Sequence, residues 1–450
     1  MPAIATDSLK RRFAQLMVDE VTSGTDSDEY FIGIGQSNEF GVSPTPTPVR
    51  TLREERNARL NLQSIKRTTS ASMVIDRYNW ASGLVYRAWS DSEVGVSNNP
   101  FYVITENNEV YICLQQAKDA AGNAVASTVL PSYINAGVDE EQAFETSDGY
   151  RWKFLYAISA PNANLYLSGN YVPIEEIGDN PDGLNTFQLQ QQAIRTNAIP
   201  GQILGGIVTD GGSGYTSAPT VSIVGNGTGA AATATISGGR VVKVEMNNES
   251  AACGTNYDYA EFKFSGGNGS GAAVRPIISP QKGIGFNVPS DLKAHSVMIN
   301  AKPDGDEGGE FIIGNDFRQI GLYRNMRDQD SDLVTSVNNR ALQYLMIQGG
   351  AAENDFSIDK LIRQSNGAKA YIDDIQDSAV YYHQTEATGF TAFTTGAINE
   401  SDGEGSGVVA TVGLQSTINP FSGELLYLEN RAKVLRDAEQ TEDIKVVITI

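Results

Sequence analysis

Along most of this chain apolar residues recur with a period of two, so strands dominate the predicted elements. EVYICLQ, from Glu109 to Gln115, alternates Val110, Ile112 and Leu114 on one face. GYRWKFLYAIS carries the strongest signal: Tyr150, Trp152, Phe154, Tyr156 and Ile158 share one face, and Arg151 and Lys153 lie on the other. An aromatic stripe of this kind predicts the inner face of a sheet in preference to a sugar-binding platform. Further strands are expected at 29–36 (EYFIGIGQ), 297–302 (VMINAK) and 310–323 (EFIIGNDFRQIGLY). Ile444, Val446, Ile448 and Ile450 alternate, which predicts a closing strand held in a sheet.

Helical spacing is confined to two stretches. Phe13, Leu16 and Met17 predict a first helix capped by Ser8 and stopped by Ser23 and Gly24. Arg50 to Arg67 is polar and helix-prone, with basic residues at 50, 53, 56, 59, 66 and 67 against Glu54 and Glu55. A solvated helical face is the expectation there, with docking on an acidic neighbour as the alternative. Between these stretches SPTPTP (43–48) reads as an extended connector.

Two segments differ in texture. From Gly201 to Pro280, 16 of the 80 residues are glycine, against 45 of 450 in the whole chain. The segment repeats itself at an offset of 42 residues, Gly212 to Gly254. Each copy runs Gly, Tyr, a short β segment (Val221 and Ile223; Phe262 and Phe264), then Gly-x-Gly-Ala-Ala (227–231; 269–273). A small all-β insert built by duplication is expected. The glycines match neither GxGxxG before a helix nor a GxxxxGK[ST] loop, so turn glycines are preferred to a nucleotide site. A second module is expected over 338–417, where NGAKAYIDDI, AVYYHQTEATGF and GVVATVGL alternate short strands with polar turns.

Composition narrows the function classes. The formal net charge is −21, which opposes binding to a phosphate backbone. Cys113 and Cys253 are far apart and belong to no CxxC or Cys/His cluster, which argues against a disulfide framework or a structural zinc. No secretory h-region and no apolar run of about 18 residues is present, so cytosolic synthesis without membrane insertion is expected. Only His295 and His383 could serve as a histidine base, and neither accompanies a GxSxG elbow or a reactive-cysteine signature. His383, within YYHQ, is expected in a strand as a packing residue. The 54 acidic residues offer many carboxylate pairs, and nothing singles out two of them. DGDEGGE (304–310) lacks the EF-hand pattern and reads as a polar hairpin turn. No catalytic, cofactor-binding or metal-ligating residue is assigned, and no cofactor is expected.

Four segments, in order, resemble one family: the baseplate wedge protein, gene product eight, of T-even-like contractile-tailed bacteriophages. SGELLYLENR followed by QTEDIKVVITI is similar to the family's closing "GE-(aliphatic)-Y-x-E-N-R" and "QTE-x-I" motif. DGYRWKFLYAIS resembles its central "DGY-x-W" strand, EYFIGIGQSNEF its first strand and turn, and FRQIGLYRN its late-core strand. The resemblance implies a layered β-sandwich with helical excursions, a homodimer within each wedge, and no enzymatic activity.

The fold expected is therefore mainly β (α+β): a layered β-sandwich core with a few helices and two inserted small β modules. The core comprises 1–200, 281–337 and 418–450, the Gly-rich insert 201–280 and the small module 338–417. The expected function is a structural subunit of the phage tail baseplate wedge. Other wedge subunits and a second copy are the expected partners, without nucleic acid, and the expected location is the virion after assembly in the host cytoplasm. A host-surface glycan-binding tail module is the alternative, and a cell-wall or capsule hydrolase a third reading.

Overall fold

A computed structural model describes residues 4–23, 28–92, 100–175, 177, 182–247, 252–303, 316–349, 352, 355–401, 404–413, 417–435 and 440–450. Among these residues there are 27 strands and 6 helices, so the protein is mainly β with a minor helical part. Packing divides the chain into two units. The first holds Met1–Gln15, Ser72–Val297 and Thr449–Ile450; the second holds Leu16–Ala71 and Met298–Ile448. These units cut across the expected core: 72–200 lies in the first, whereas 16–71 and 298–337 lie in the second. The hairpin expected at 304–310 falls outside the described residues.

In the first unit, Tyr102–Ile104, Glu109–Gln115, Arg151–Ala157 and Ala143–Glu145 form an antiparallel sheet in that order. Tyr150, Trp152 and Phe154 are fully buried and join Tyr86, Val103, Tyr111 and Cys113 in one cluster. Trp152 stacks on Tyr150 at 5.7 Å and meets Tyr86 edge-on at 5.6 Å. Alternation predicts one buried face, yet Arg151 and Lys153 are buried too. Lys153 is covered near Ile194 and Gly285, where the Thr186–Thr196 helix packs on the Arg151–Ala157 strand, and Arg151 is covered by Cys253, to which it donates a hydrogen bond. Asn185 and Gln188 form a capping box at that helix's start. The motif DGY has a matching local cause. Asp148 sits at the turn into the strand and accepts hydrogen bonds from Ser127, the Thr128 and Val129 amides, Thr146 and the Tyr150 amide.

The Gly-rich insert folds within this unit as paired ribbons. Ile203–Ser213 pairs with Ser270–Ile278, and Thr220–Gly225 pairs antiparallel with Ala260–Ser265. The two repeat copies therefore place their corresponding strands side by side. Each copy also receives the tyrosine of the other. A Cβ on Gly227 would lie 2.4 Å from the Tyr257 ring, and one on Gly269 would lie 2.4 Å from the Tyr215 ring. The glycines are needed for this close approach as well as for turns.

In the second unit a five-stranded antiparallel sheet runs in the order Asn338–Arg340, Leu62–Thr68, Tyr30–Gly35, Phe317–Arg324, Glu424–Val434. Gly33 and Gly321 face each other in register, and the Tyr323 ring covers both; an added Cβ would meet it at 2.6 and 2.5 Å. Gln343–Ile347, Ala379–His383, Lys369–Gln376, Leu361–Gln364, Gly396–Glu400 and Ser406–Gly413 close into a six-stranded barrel. Leu345, Ile362, Ala370, Ile372, Val380 and Ile398 fill it, each 0% exposed. Ile444–Thr449 is a strand beside Ser296–Ala301, with Ile444 and Val446 buried.

Three local expectations change. Arg50–Arg67 is helical only over Leu52–Leu60; Leu62–Thr68 is a strand because Leu62 and Ile65 are buried within the five-stranded sheet. The segment is a solvated basic face only in part, with Arg50, Arg53 and Arg56 exposed. Arg59 is 5% exposed and donates to the Pro420, Ser422 and Gly423 carbonyls and to Glu55, while Arg53 pairs with Glu386 and Arg67 with Glu29. In the first helix, Asp7–Ser23, it is the Thr6 hydroxyl that accepts from the Leu9 amide, and Ala14 and Val21 are buried while Phe13 and Leu16 are exposed.

Candidate functional site

The second unit contains a buried polar hub. Asp373 lies at a β-bulge of the Lys369–Gln376 barrel strand, is 0% exposed, and gathers Ser37, Gln63 and His383. Ser37 Oγ donates to Asp373 Oδ1 at 2.8 Å and Gln63 Nε2 to the same oxygen at 3.2 Å; His383 Nδ1 lies 2.5 Å from Oδ2. Arg318 reaches the Ser37 carbonyl, closing the group from below. On the neighbouring position Asp374 accepts from Arg340 at 2.8 Å, and the Arg340 guanidinium lies 3.8 Å from the centre of the Tyr381 ring.

Ser, His and Asp so close together invite comparison with a nucleophilic triad, but the connectivity is wrong for one. In a triad the serine bonds to the histidine nitrogen remote from the carboxylate. Here Ser37 and His383 both bind Asp373, and His383 Nε2 is buried with no hydrogen-bond partner among the described residues. The aspartate is thus the acceptor at the centre, holding a sheet turn, a sheet strand and the barrel together. His383 is in a strand and packed, stacking on Tyr371 at 5.7 Å.

A cavity of about 790 Å³ lies in the first unit and is lined by Lys118, Glu145, Asp148, Lys243, Glu245 and Asn247 among others. It brings together two carboxylates with opposite environments. Burial raises the Glu145 carboxyl above its usual range. Burial also pushes Asp148 upward, but hydrogen bonds from Thr146, Thr128, Val129 and Ser127 outweigh it and hold that carboxyl low. Opposed shifts of this kind can mark an acid and a base. In Asp148, however, both oxygens are already committed to the turn that carries the DGY motif, which leaves it unsuited to attack or to activate a water.

A third titratable pair is buried near the Thr186–Thr196 helix. Burial pushes the Asp291 carboxyl up to about 7, while the Gly285 amide at 2.7 Å and the positive charge of Lys153 draw it down. Burial lowers the Lys153 ammonium to about 8, partly offset by Asp291 and Glu141. The cavity beside Gly285 and Val288 is about 10 Å³, too small for a substrate. Both groups therefore act within the core. Burial also raises Cys113 well above its usual value, and Cys253 receives a bond from Arg151 at 2.9 Å. His295 follows Asp291 by four residues in the chain, and its Nδ1 lies 2.9 Å from the Lys293 carbonyl.

Among the described residues no group of three or more His, Cys, Asp or Glu side chains is placed to hold a metal ion. No helix there is long and apolar enough to cross a membrane. The Asp373 hub was not legible in the sequence: its members are at 37, 63, 318, 373 and 383, and only His383 carried a signal of its own. Compared with known proteins, the chain matches no family model and no curated protein.

Proposed function

We propose that this chain is a non-enzymatic structural subunit of a phage tail baseplate wedge, joining neighbouring wedge proteins through protein–protein contacts in the virion. One observation carries the reading. Three of the four segments that resemble the wedge family, 29–40, 317–325 and 422–450, supply adjacent strands of a single sheet: Tyr30–Gly35, Phe317–Arg324 and Glu424–Val434. Their shared residues have mutual physical reasons, since Gly33 and Gly321 make room for Tyr323. The fourth segment supplies Tyr150, Trp152 and Phe154, the aromatic centre of the first unit. The resemblance thus rests on residues that jointly build a scaffold.

The test is assembly. The purified chain, mixed with the other wedge proteins of the same phage, is expected to comigrate with at least one of them in size-exclusion chromatography with light scattering. A chain that binds none of them would overturn the reading.

A further inference from the structure

Within the first unit, where the end of the Glu109–Gln115 strand meets the Gly-rich insert, lies another cavity of about 200 Å³. A void of about 150 Å³ takes a molecule the size of benzene, so this one suits a ligand of roughly eight to ten non-hydrogen atoms. Part of its wall is apolar: Leu204, Val244 and Ile277 line it, and all three are buried. Gly205 lines it too, buried and paired with Ile277 in a regular strand. A Cβ built on Gly205 would meet nothing within 4 Å, whereas one on Gly206 would run into Val274 at 2.5 Å. Packing therefore explains Gly206 but not Gly205. The bare backbone of Gly205 leaves that side of the cavity open.

The polar lining is basic. Arg87, Lys118 and Lys243 stand against one lining carboxylate, Glu245. Lys243 is committed, since its Nζ pairs with Glu245 at 2.8 Å and donates to the Lys118 carbonyl at 3.4 Å. Lys118 is half-buried, and among the described residues no carboxylate pairs with it, Glu145 and Asp148 of the adjoining larger cavity included. In a chain with 54 acidic residues against 33 basic ones, an ammonium beside apolar walls with no counter-ion calls for one from outside. Gln115 Oε1, also in the lining, is buried and meets no donor among the described residues. Buried polar atoms are ordinarily satisfied, so a donor is wanted there as well.

We propose that this cavity binds a small aliphatic carboxylate that carries a hydrogen-bond donor next to its charged group. The carboxylate lies at Lys118, with Arg87 adding positive charge, and the donor reaches Gln115 Oε1. The hydrocarbon tail fills the space over Gly205, against Leu204, Val244 and Ile277. An inorganic anion would leave those walls wet, and a purely apolar ligand would leave Lys118 and Gln115 unsatisfied. A free 2-hydroxy acid has this chemistry, and so has the carboxyl terminus of a peptide ending in leucine, whose last amide is the donor. None of these cavity residues belongs to the segments that carry the scaffold reading, so the two stand or fall separately.

Ligand-observed NMR titration of the full chain with 2-hydroxy-4-methylpentanoate is the experiment. Saturable binding is expected with a Kd of about 1 mM, ordinary for a ligand of this size. The corresponding amide, which lacks the charge, and lactate, which lacks the tail, are each expected to bind roughly tenfold more weakly. Lys118→Met is expected to weaken binding roughly tenfold and Lys118→Arg to retain most of it. Gly205→Val fills the cavity and is expected to abolish binding. Thermal melting controls for folding, and the Lys118 variants with the two analogues carry the test should Gly205→Val melt early. A leucine-ending tripeptide that binds more tightly than the hydroxy acid would identify a peptide terminus as the source of the ligand; weaker binding would identify a free acid. No saturable binding, equal binding of the amide or of lactate, or a Lys118→Met chain that binds like the wild type would overturn the proposal.

Discussion

The Gly-rich insert and the six-stranded barrel are both short-stranded, turn-rich β structures, and they are held together by different means. The barrel closes on itself, and its aliphatic residues are fully buried, as Leu345, Ile362, Ile372 and Val380 illustrate. Closure removes the edges and concentrates hydrocarbon in one place. The insert is built from two-stranded ribbons around buried Ile203, Val241, Met246, Tyr257 and Phe262, against which Val221, Ile223 and Phe264 are only partly buried. In addition, a tyrosine of one repeat lies against a glycine of the other. Stability in the barrel therefore depends on volume that is filled, and in the insert also on volume kept empty of side chain beside the two tyrosines. Their surroundings continue the contrast: the barrel's buried carboxylate Asp373 has a full set of donors, whereas Asp291, in the insert's unit, is held neutral by burial over much of the pH range.

Four experiments probe this contrast, in falling order of expected effect. Asp373→Ala orphans Ser37, Gln63 and His383 together in a water-free site and is expected to cost about 4 kcal/mol in urea unfolding. A cost under about 1 kcal/mol would mean the hub is incidental. Ile372→Ala, at a position with no exposure, is expected to cost about 3 kcal/mol, and Ile223→Ala in the insert about 1 kcal/mol or less. Equal costs would erase the distinction between the two modules.

Lys153→Met tests the buried charges and is expected to change sign with pH. The Asp291 carboxyl is raised in the fold, so its contribution to stability is present below its ordinary pKa and is lost as pH rises toward 7. Lys153 is lowered, so its contribution is present above its ordinary pKa and is lost as pH falls through 8. At pH 8 the variant leaves Asp291 charged without its nearby cation and should lose about 3 kcal/mol. At pH 4 Asp291 is neutral and the variant should be no less stable than the wild type. Denaturant melts at the two pH values decide this; a loss independent of pH would show that only packing was disturbed. Last, Gly269→Ala drives a methyl into the Tyr215 ring and is expected to cost about 2 kcal/mol, with Tyr215→Leu in the same chain recovering part of it. Additive losses would separate the glycine from the tyrosine.

Much of the site-level chemistry was illegible beforehand for a geometric reason. Ser37, Gln63, Arg318 and Asp373 are ordinary polar residues in sequence, and only the approach of the sheet to the barrel, within one unit, makes them a network. Glu145 and Asp148 are close in the chain, but the opposed environments that set them apart come from Thr128, Val129 and burial, not from their spacing.

Period-two alternation by itself determined the β class, the strands at 30–35, 109–115, 151–157 and 444–449, and the duplicated Gly-rich insert, because these depend on local spacing and turn residues. Tertiary structure alone decided which faces are covered. Lys153 and Arg151 are buried because segments distant in the chain, the Thr186–Thr196 helix and Cys253, pack beside them. Leu62–Thr68 is a strand and not a helix because the sheet has a place for it between Tyr30–Gly35 and Asn338–Arg340. The edge left open at Glu424–Val434 is also a tertiary result, since alternation marks a strand but cannot say whether both of its sides are paired.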